Sequence, residues 1–83
     1  MKKLNLGCGE FKKYGYINLD MNKKVKPDVV HNLNKFPYPF KDNYFDLVEA
    51  SHVLEHVEDP FKVMKELHRI MKHNGTLIIR VPH

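Results

Sequence analysis

Apolar and polar residues alternate strictly in two short stretches near the start of the chain, Lys3-Leu-Asn-Leu6 and Tyr16-Ile-Asn-Leu-Asp20. A period of two marks a β-strand with one buried face, so both stretches are predicted strands. Leu4, Leu6, Ile17 and Leu19 point one way, while Lys3, Asn5, Tyr16 and Asn18 point the other. Strands buried on both faces of a parallel sheet read as continuous apolar runs, so this alternation predicts one partly wet face. Val29-Val-His31, after Pro27, gives a third strand, and Phe45 to Ala50 a fourth. Residues 34–44 hold Pro37, Pro39 and Asn43 and read as a loop. Ser51 to Val57 reads as a short helical turn.

The period then changes. Phe61, Met64, Leu67 and Met71 recur at spacings of three and four, with Val63 and Ile70 widening the stripe. Such a stripe is the core face of an amphipathic helix. Asp59 is a good N-cap, Pro60 suits the first helical position, and Asn74-Gly75 supplies a stop, which predicts a helix from Pro60 to Lys72. Thr76 to Val81 is the fifth strand, ended by Pro82. Strand four, the helix and strand five form a βαβ unit, so these two strands should be parallel. Elsewhere the connections are short. Seven residues separate Gly9 from Ile17, whereas a parallel crossover normally needs about a dozen or more. The stretch from Asp20 to Val29 is equally crowded, so the helices over one face should be absent or reduced to turns.

The 83 residues suffice for a single domain, spanning 1–83. A domain of this size buries roughly 60% of the surface its unfolded chain exposes. One cysteine, Cys8, rules out an internal disulfide and fits a reducing compartment. The basic start lacks the apolar stretch of a signal peptide, and no run approaches the roughly 18 apolar residues of a membrane helix. A cytoplasmic protein without membrane contact is therefore expected. The net charge of +4 is uneven, with nine lysines against three acids in residues 1–41 and five cations against seven acids in the remainder. A basic half can attract nucleic acid or an anionic substrate. No aromatic residues interleave with these lysines in the manner of RNA-binding surfaces, so the basic half reads as a solvated surface and nucleic acid is not the expected partner.

Two strings carry chemistry. Gly7-Cys8-Gly9 closes the first strand, where glycines let a ligand approach the backbone, and Asp20 ends the second, where a carboxylate can accept hydrogen bonds from two ribose hydroxyls. The glycine pair taken alone is equally a plain turn. The second string, His52-Val-Leu-Glu55-His56, spells the inverted-zincin signature H-x-x-E-H. On a helix its two imidazoles would share a face and could grip zinc. The turn is too short for a zinc helix, and only 27 residues follow to supply a third ligand. No metal is expected, and packing and capping account for Glu55 and His56.

In order, LNLGCG, INLD, FDLVEASHVLEHV and HNGTLIIRVPH resemble the class I S-adenosylmethionine-dependent methyltransferases over nearly the whole chain. The resemblance implies a Rossmann-like α/β fold with a mostly parallel sheet of about five strands, in the order 3-2-1-4-5, and one main crossover helix. That is a reduced form of the family's seven-stranded sheet. It also implies S-adenosylmethionine as cofactor and S-adenosylhomocysteine as product. Gly7, Cys8 and Gly9 would pass beneath the methionine part. Asp20 would hold the ribose, Met21 would lie against the adenine, and Asn32 and Leu33 would sit at its edge. Ala50, Ser51 and His52 would line the opposite side and face the substrate. Three positions depart from the family pattern: Asn5 stands for an acid, Phe11 for a third glycine, and Asn32 for another acid.

Methyl transfer needs a base only when the acceptor must lose a proton, and His52, then His56, is the candidate. The alternative is a non-catalytic cofactor-binding module that needs a partner or a further C-terminal region for turnover. Strand five would present an open apolar edge, and strands four and five a bare face, so a homodimer through either surface is expected.

Overall fold

A computed structural model describes residues 1–81; the expected strand end at Pro82 lies outside them. Five strands form one sheet: β1 Lys3–Leu6, β2 Ile17–Asp20, β3 Val29–Val30, β4 Phe45–Ser51 and β5 Met71–Arg80. Their order is β3-β2-β1-β4-β5, and every neighbouring pair is parallel. The helix α1, Pro60–Ile70, connects β4 to β5. A single 3-10 turn, Lys23–Val25, stands between β2 and β3, the β1–β2 and β3–β4 connections carry no helix, and a second 3-10 turn, Leu54–His56, precedes α1. Fold class, strand order and the single long helix are as the sequence predicts.

The apolar residues of the alternation do build the core. Leu4, Leu6, Leu19, Val48 and Ala50 are fully buried and join Val63, Leu67 and Ile70 of α1 in one cluster. Loop 31–44, which the sequence leaves without a packing role, adds Tyr38 to that cluster and lays Leu33 and Phe40 against it. The loop thus shares with α1 the cover of one face of the sheet.

Helix α1 corrects two expectations. Asp59 caps it as predicted, its Oδ1 accepting the backbone N–H groups of Phe61 and Lys62 at 3.1 and 3.2 Å. Of the predicted stripe, Val63, Leu67 and Ile70 are buried and Met64 and Met71 pack against the core, but Phe61 is 87% exposed and Glu66 takes a buried place. Glu66 faces loop 31–44. Glu66 accepts the Tyr38 backbone N–H at 2.6 Å and the Arg69 guanidinium at 2.6 and 2.9 Å. Arg69 in turn reaches Asp42 and the Tyr38 carbonyl. The second correction is the helix end, which falls at Ile70 rather than Lys72. Backbone N–H groups of Asn43 and Tyr44, just before β4, bind the carbonyls of Arg69 and Ile70 and satisfy the terminal turn early. Gly75 is then no helix stop. It lies in the irregular start of β5, where a Cβ would come within 3.0–3.3 Å of the backbone oxygens of Lys72, Phe45 and Asp46.

The polar face, expected to be partly wet, is dry at its centre, while Lys3 and Tyr16 at its margin are half-buried. Asn18, Asn5 and Glu49 stand side by side across β2, β1 and β4, and each is at least nine-tenths buried. Residues 8–16 roof them. Asn5 Nδ2 donates to the Phe11 carbonyl and to Asn18 Oδ1, both at 3.0 Å. Asn18 Oδ1 also accepts the Lys13 N–H at 2.8 Å, while its Nδ2 faces the carbonyls of Lys13 and Tyr16 and the Asp28 carboxylate. Alternation of polar residues looks the same in sequence whether water or a backbone roof satisfies them.

Asn18→Ala should lower the unfolding free energy by about 2–3 kcal/mol in urea titrations, because it strands several buried donors and acceptors at once. A loss under about 0.5 kcal/mol, the scale of a neutral surface substitution, would mean that the roof stands without it.

Candidate functional site

The carboxyl ends of the parallel strands carry the expected constellation. Gly7 and Gly9 have φ of +65° and +53°, so the turn after β1 uses a left-handed conformation open to glycine. A Cβ on Gly7 would lie 2.7 Å from Val53 Cγ2, whereas none of the protein lies within 4 Å of a Cβ on Gly9. The first glycine is required by packing, and the second faces open space.

Asp20, at the end of β2, is oriented by two backbone donors. Its Oδ1 accepts the Gly9 N–H at 3.2 Å and its Oδ2 the Asn22 N–H at 2.9 Å. The carboxylate is thus clamped to the glycine turn with lone pairs to spare. Cys8 between the glycines is buried, and burial, then the Asp20 charge, pushes its thiol up. It stays protonated and unreactive.

Across the cleft, His52 leaves β4 in a left-handed conformation, φ +57°, with its N–H on the Arg80 carbonyl at 2.8 Å. Histidine is among the few non-glycine residues enriched there. This bend folds Val53 back over Gly7. His52 Nδ1 lies 3.5 Å from Glu55 Oε2. Only Leu54–His56 is helical, as a 3-10 turn, so His52 and His56 do not share a helix face. Among the described residues no group of three or more His, Cys, Asp or Glu converges on a point.

Two adjoining clefts result. The first, about 260 Å³, is lined by five expected residues, Gly7, Asp20, Met21, Asn32 and Leu33, and by His52. The second, about 590 Å³, takes Cys8, Gly9 and Ser51, and shares Gly7 and His52 with the first. Small-molecule sites usually span about 300–1,000 Å³, which the pair of clefts together reaches. Ala50 lines neither cleft; it is fully buried in the core. Of the three departures, Asn5 holds the roof, Phe11 is exposed at the second cleft, and Asn32 Oδ1 accepts the Asn34 N–H at 2.9 Å. Sequence reasoning missed Asn22, Asn34, Val53 and Val57, which also line the first cleft, and Lys13 and Arg80, which line the second. The string after strand four was visible, but the left-handed bend that folds it inward was not.

A parallel sheet ordered 3-2-1-4-5, with a glycine turn after β1 and a carboxylate after β2, defines a Rossmann-like nucleotide-binding domain. The chain belongs to the methyltransferase-domain family, whose model matches residues 4–79. It is 34% identical to an uncharacterized protein of Methanocaldococcus jannaschii, over 94% of this chain and 39% of that protein. It is 38% identical to a demethylmenaquinone methyltransferase of Geobacillus stearothermophilus, over 68% of this chain and 26% of that one. An S-adenosylmethionine-dependent methyltransferase from Mesorhizobium loti superposes with a TM-score of 0.80 at 21% identity, over 99% of this chain and 47% of its own. The chain thus spans less than half the length of each.

Gly7→Ala should destabilise the fold by about 1–3 kcal/mol, combining left-handed strain with the clash on Val53. Adding Val53→Ala should fail to be additive, because it removes the clash and leaves only the strain. Strict additivity in thermal unfolding would show that the two residues do not meet.

Proposed function

We propose that this chain is the S-adenosylmethionine-binding part of a methyltransferase. The observation that carries the reading is the Asp20 carboxylate, clamped by the Gly9 and Asn22 N–H groups at the mouth of a cleft floored by glycine. Asp20 is suited to hold the ribose hydroxyls, with Met21, Asn32 and Leu33 around the base. Gly7, Cys8 and Gly9 lead toward the second cleft, where Ser51 and His52 face the acceptor. Ala50 acts from the core, by positioning the end of β4. The cofactor, when bound, supplies an activated methyl group, so the protein's task is orientation and exclusion of water. His52 takes the acceptor's proton where one must leave, and the adjacent Glu55 carboxylate favours the ring tautomer that leaves Nε2 unprotonated.

A second reading, a cofactor-binding module that needs further residues or a partner for turnover, is favoured by the coverage of less than half of each relative. Methyl transfer from labelled S-adenosylmethionine separates the two readings. No helix among the described residues is long and apolar enough to cross a membrane; a cytoplasmic location remains part of this proposal.

Calorimetry should detect S-adenosylhomocysteine binding, weakened by about 1.5–3 kcal/mol in Asp20→Ala, the scale of a hydrogen bond to a charged group. His52→Asn keeps a residue tolerant of the left-handed bend, so it should lower turnover by more than it weakens this affinity. An Asp20→Ala protein that binds as tightly as the original would place the ribose elsewhere.

The homodimer keeps one support. β5 is an edge strand, and Ile79 and Val81 are 36% and 56% exposed. The β5 edge is the contact we propose. Light scattering at high micromolar concentration should give twice the chain mass, and a monomer mass would refute the dimer.

A further inference from the structure

The first cleft is lined after β3 by Asn32, Leu33 and Asn34, all half-buried. Their oxygens are spent within the protein. Asn32 Oδ1 accepts the Asn34 N–H and Asn34 Oδ1 accepts the Glu58 N–H, both at 2.9 Å. The Leu33 carbonyl accepts the Tyr38 hydroxyl, and the Asn32 carbonyl accepts the Lys35 N–H, again at 2.9 Å. These backbone donors dictate which way both side-chain amides turn, because an oxygen must meet each N–H. Turning either amide over would set an NH2 group against a backbone N–H and strand both. Neither Nδ2 has a hydrogen-bond partner among the described residues. The arrangement is also stiff. Tyr38 is held through its backbone by Glu66 and Arg69, and the Glu58 bond ties Asn34 to the segment that enters α1.

A side-chain amide carries an NH2 donor and a carbonyl acceptor. With both oxygens spent on the backbone, this wall offers a ligand donors. Asp20, in the same cleft, has the opposite character. Its carboxylate is acceptor-only, and the Gly9 and Asn22 N–H groups leave it lone pairs to spare. A ligand that fits presents donors to Asp20 and acceptors to Asn32 and Asn34. Ribose hydroxyls are such donors. On a purine the acceptors are ring nitrogens, whereas the exocyclic amine is a donor and gains nothing from an amide nitrogen.

We infer that Asn32 determines base specificity in the cofactor site: its amide, with that of Asn34, reads a ring nitrogen of the purine as an acceptor and leaves the exocyclic amine unread. The inference rests on the S-adenosylmethionine reading above. The base is selected for its ring and not for its amine, so a cofactor whose purine lacks the amine binds as well as the adenine form.

Calorimetry of the chain with S-adenosylhomocysteine and a set of its analogues tests this. The purine analogue lacks only the exocyclic amine, and the 1-deaza, 3-deaza and 7-deaza analogues each carry C–H in place of one ring nitrogen. The purine analogue should bind within about twofold of the parent, and one deaza analogue about tenfold more weakly, the scale of a single hydrogen bond. Asn32→Asp keeps an oxygen for the Asn34 N–H, so the turn survives, but it changes the free group from donor to acceptor. The preference should then reverse, with the purine analogue about tenfold below the parent and the deaza penalty reduced to about twofold. Affinity ratios within each protein cancel any general effect of the added charge. In the original chain, a purine analogue about tenfold weaker than the parent, or deaza analogues without any penalty, would overturn the assignment while the methyltransferase reading stands. Ratios unchanged by Asn32→Asp would overturn it in the same way. S-adenosylhomocysteine that does not bind at all would sink the methyltransferase reading, and the base assignment with it.

Discussion

The side-chain amide of Asn18 is the constraint on which the rest of the molecule depends. Only ten residues join β1 to β2, too few for a packed crossover helix. Without a helix, the sheet face beneath would be open to water and the connection would have nothing to rest on. Asn18 supplies the missing support by bonding sideways to Asn5 on β1 and upward to the backbone at Lys13 and Tyr16. It also bonds to Asp28, whose carboxylate accepts the Asn18 backbone N–H at 2.7 Å. One residue thus ties β1, β2, the roof and the approach to β3 together. The glycine turn and Asp20 lie at the upper end of the same two strands, so their geometry follows from this clamp. A roof held by hydrogen bonds also accounts for Asn5 at a position where the family resemblance leads one to expect an acid. A buried carboxylate there could accept bonds but could not donate to the Phe11 carbonyl.

The sheet was legible in the sequence because its signals are local. Alternation located β1 and β2, and the capped stripe located α1. The positions of the glycine turn and Asp20 were legible for the same reason, since each stands at the end of its own strand. What could not be read were decisions made between distant segments. Glu66 looks like a solvent-facing helix residue until Tyr38, 28 positions earlier, turns its N–H toward it. Asn5 and Asn18 look wet until the roof arrives. Val53 joins the cleft because His52 adopts a left-handed bend, and no residue in that string demands one. Ala50 shows the converse error: its place at a strand end was right, but a fully buried side chain cannot line a cleft.

The site lies where the strand order reverses, between β1 and β4. In open parallel sheets the connections leave in opposite directions at that point, and a crevice opens above the carboxyl ends. Here the two strand ends contribute one residue each to both clefts, Gly7 from β1 and His52 from the bend after β4. Both residues have left-handed backbones. The crevice is thus framed by two chain reversals, and Val53 locks one against the other.

The two faces of the sheet are closed by different physics. The face that bears α1 is closed mainly by apolar contact, with Tyr38 and Phe40 of loop 31–44 beside the helix and the Glu66–Arg69–Asp42 ion pairs pinning the loop. The opposite face is closed by amides and by the ion pairs of Glu49 with Lys13 and Arg80, with almost no apolar burial. Polar closure contributes little net stability, since each bond replaces one to water, but it is directional. It fixes where the roof, Lys13 and Arg80 sit to within hydrogen-bond tolerances. A packed helix would give the chain more burial, yet it would occupy the space in which the second cleft opens. The short connection therefore exchanges stability for access, and the face that stays accessible is the one on which Lys13 and Arg80 meet Glu49.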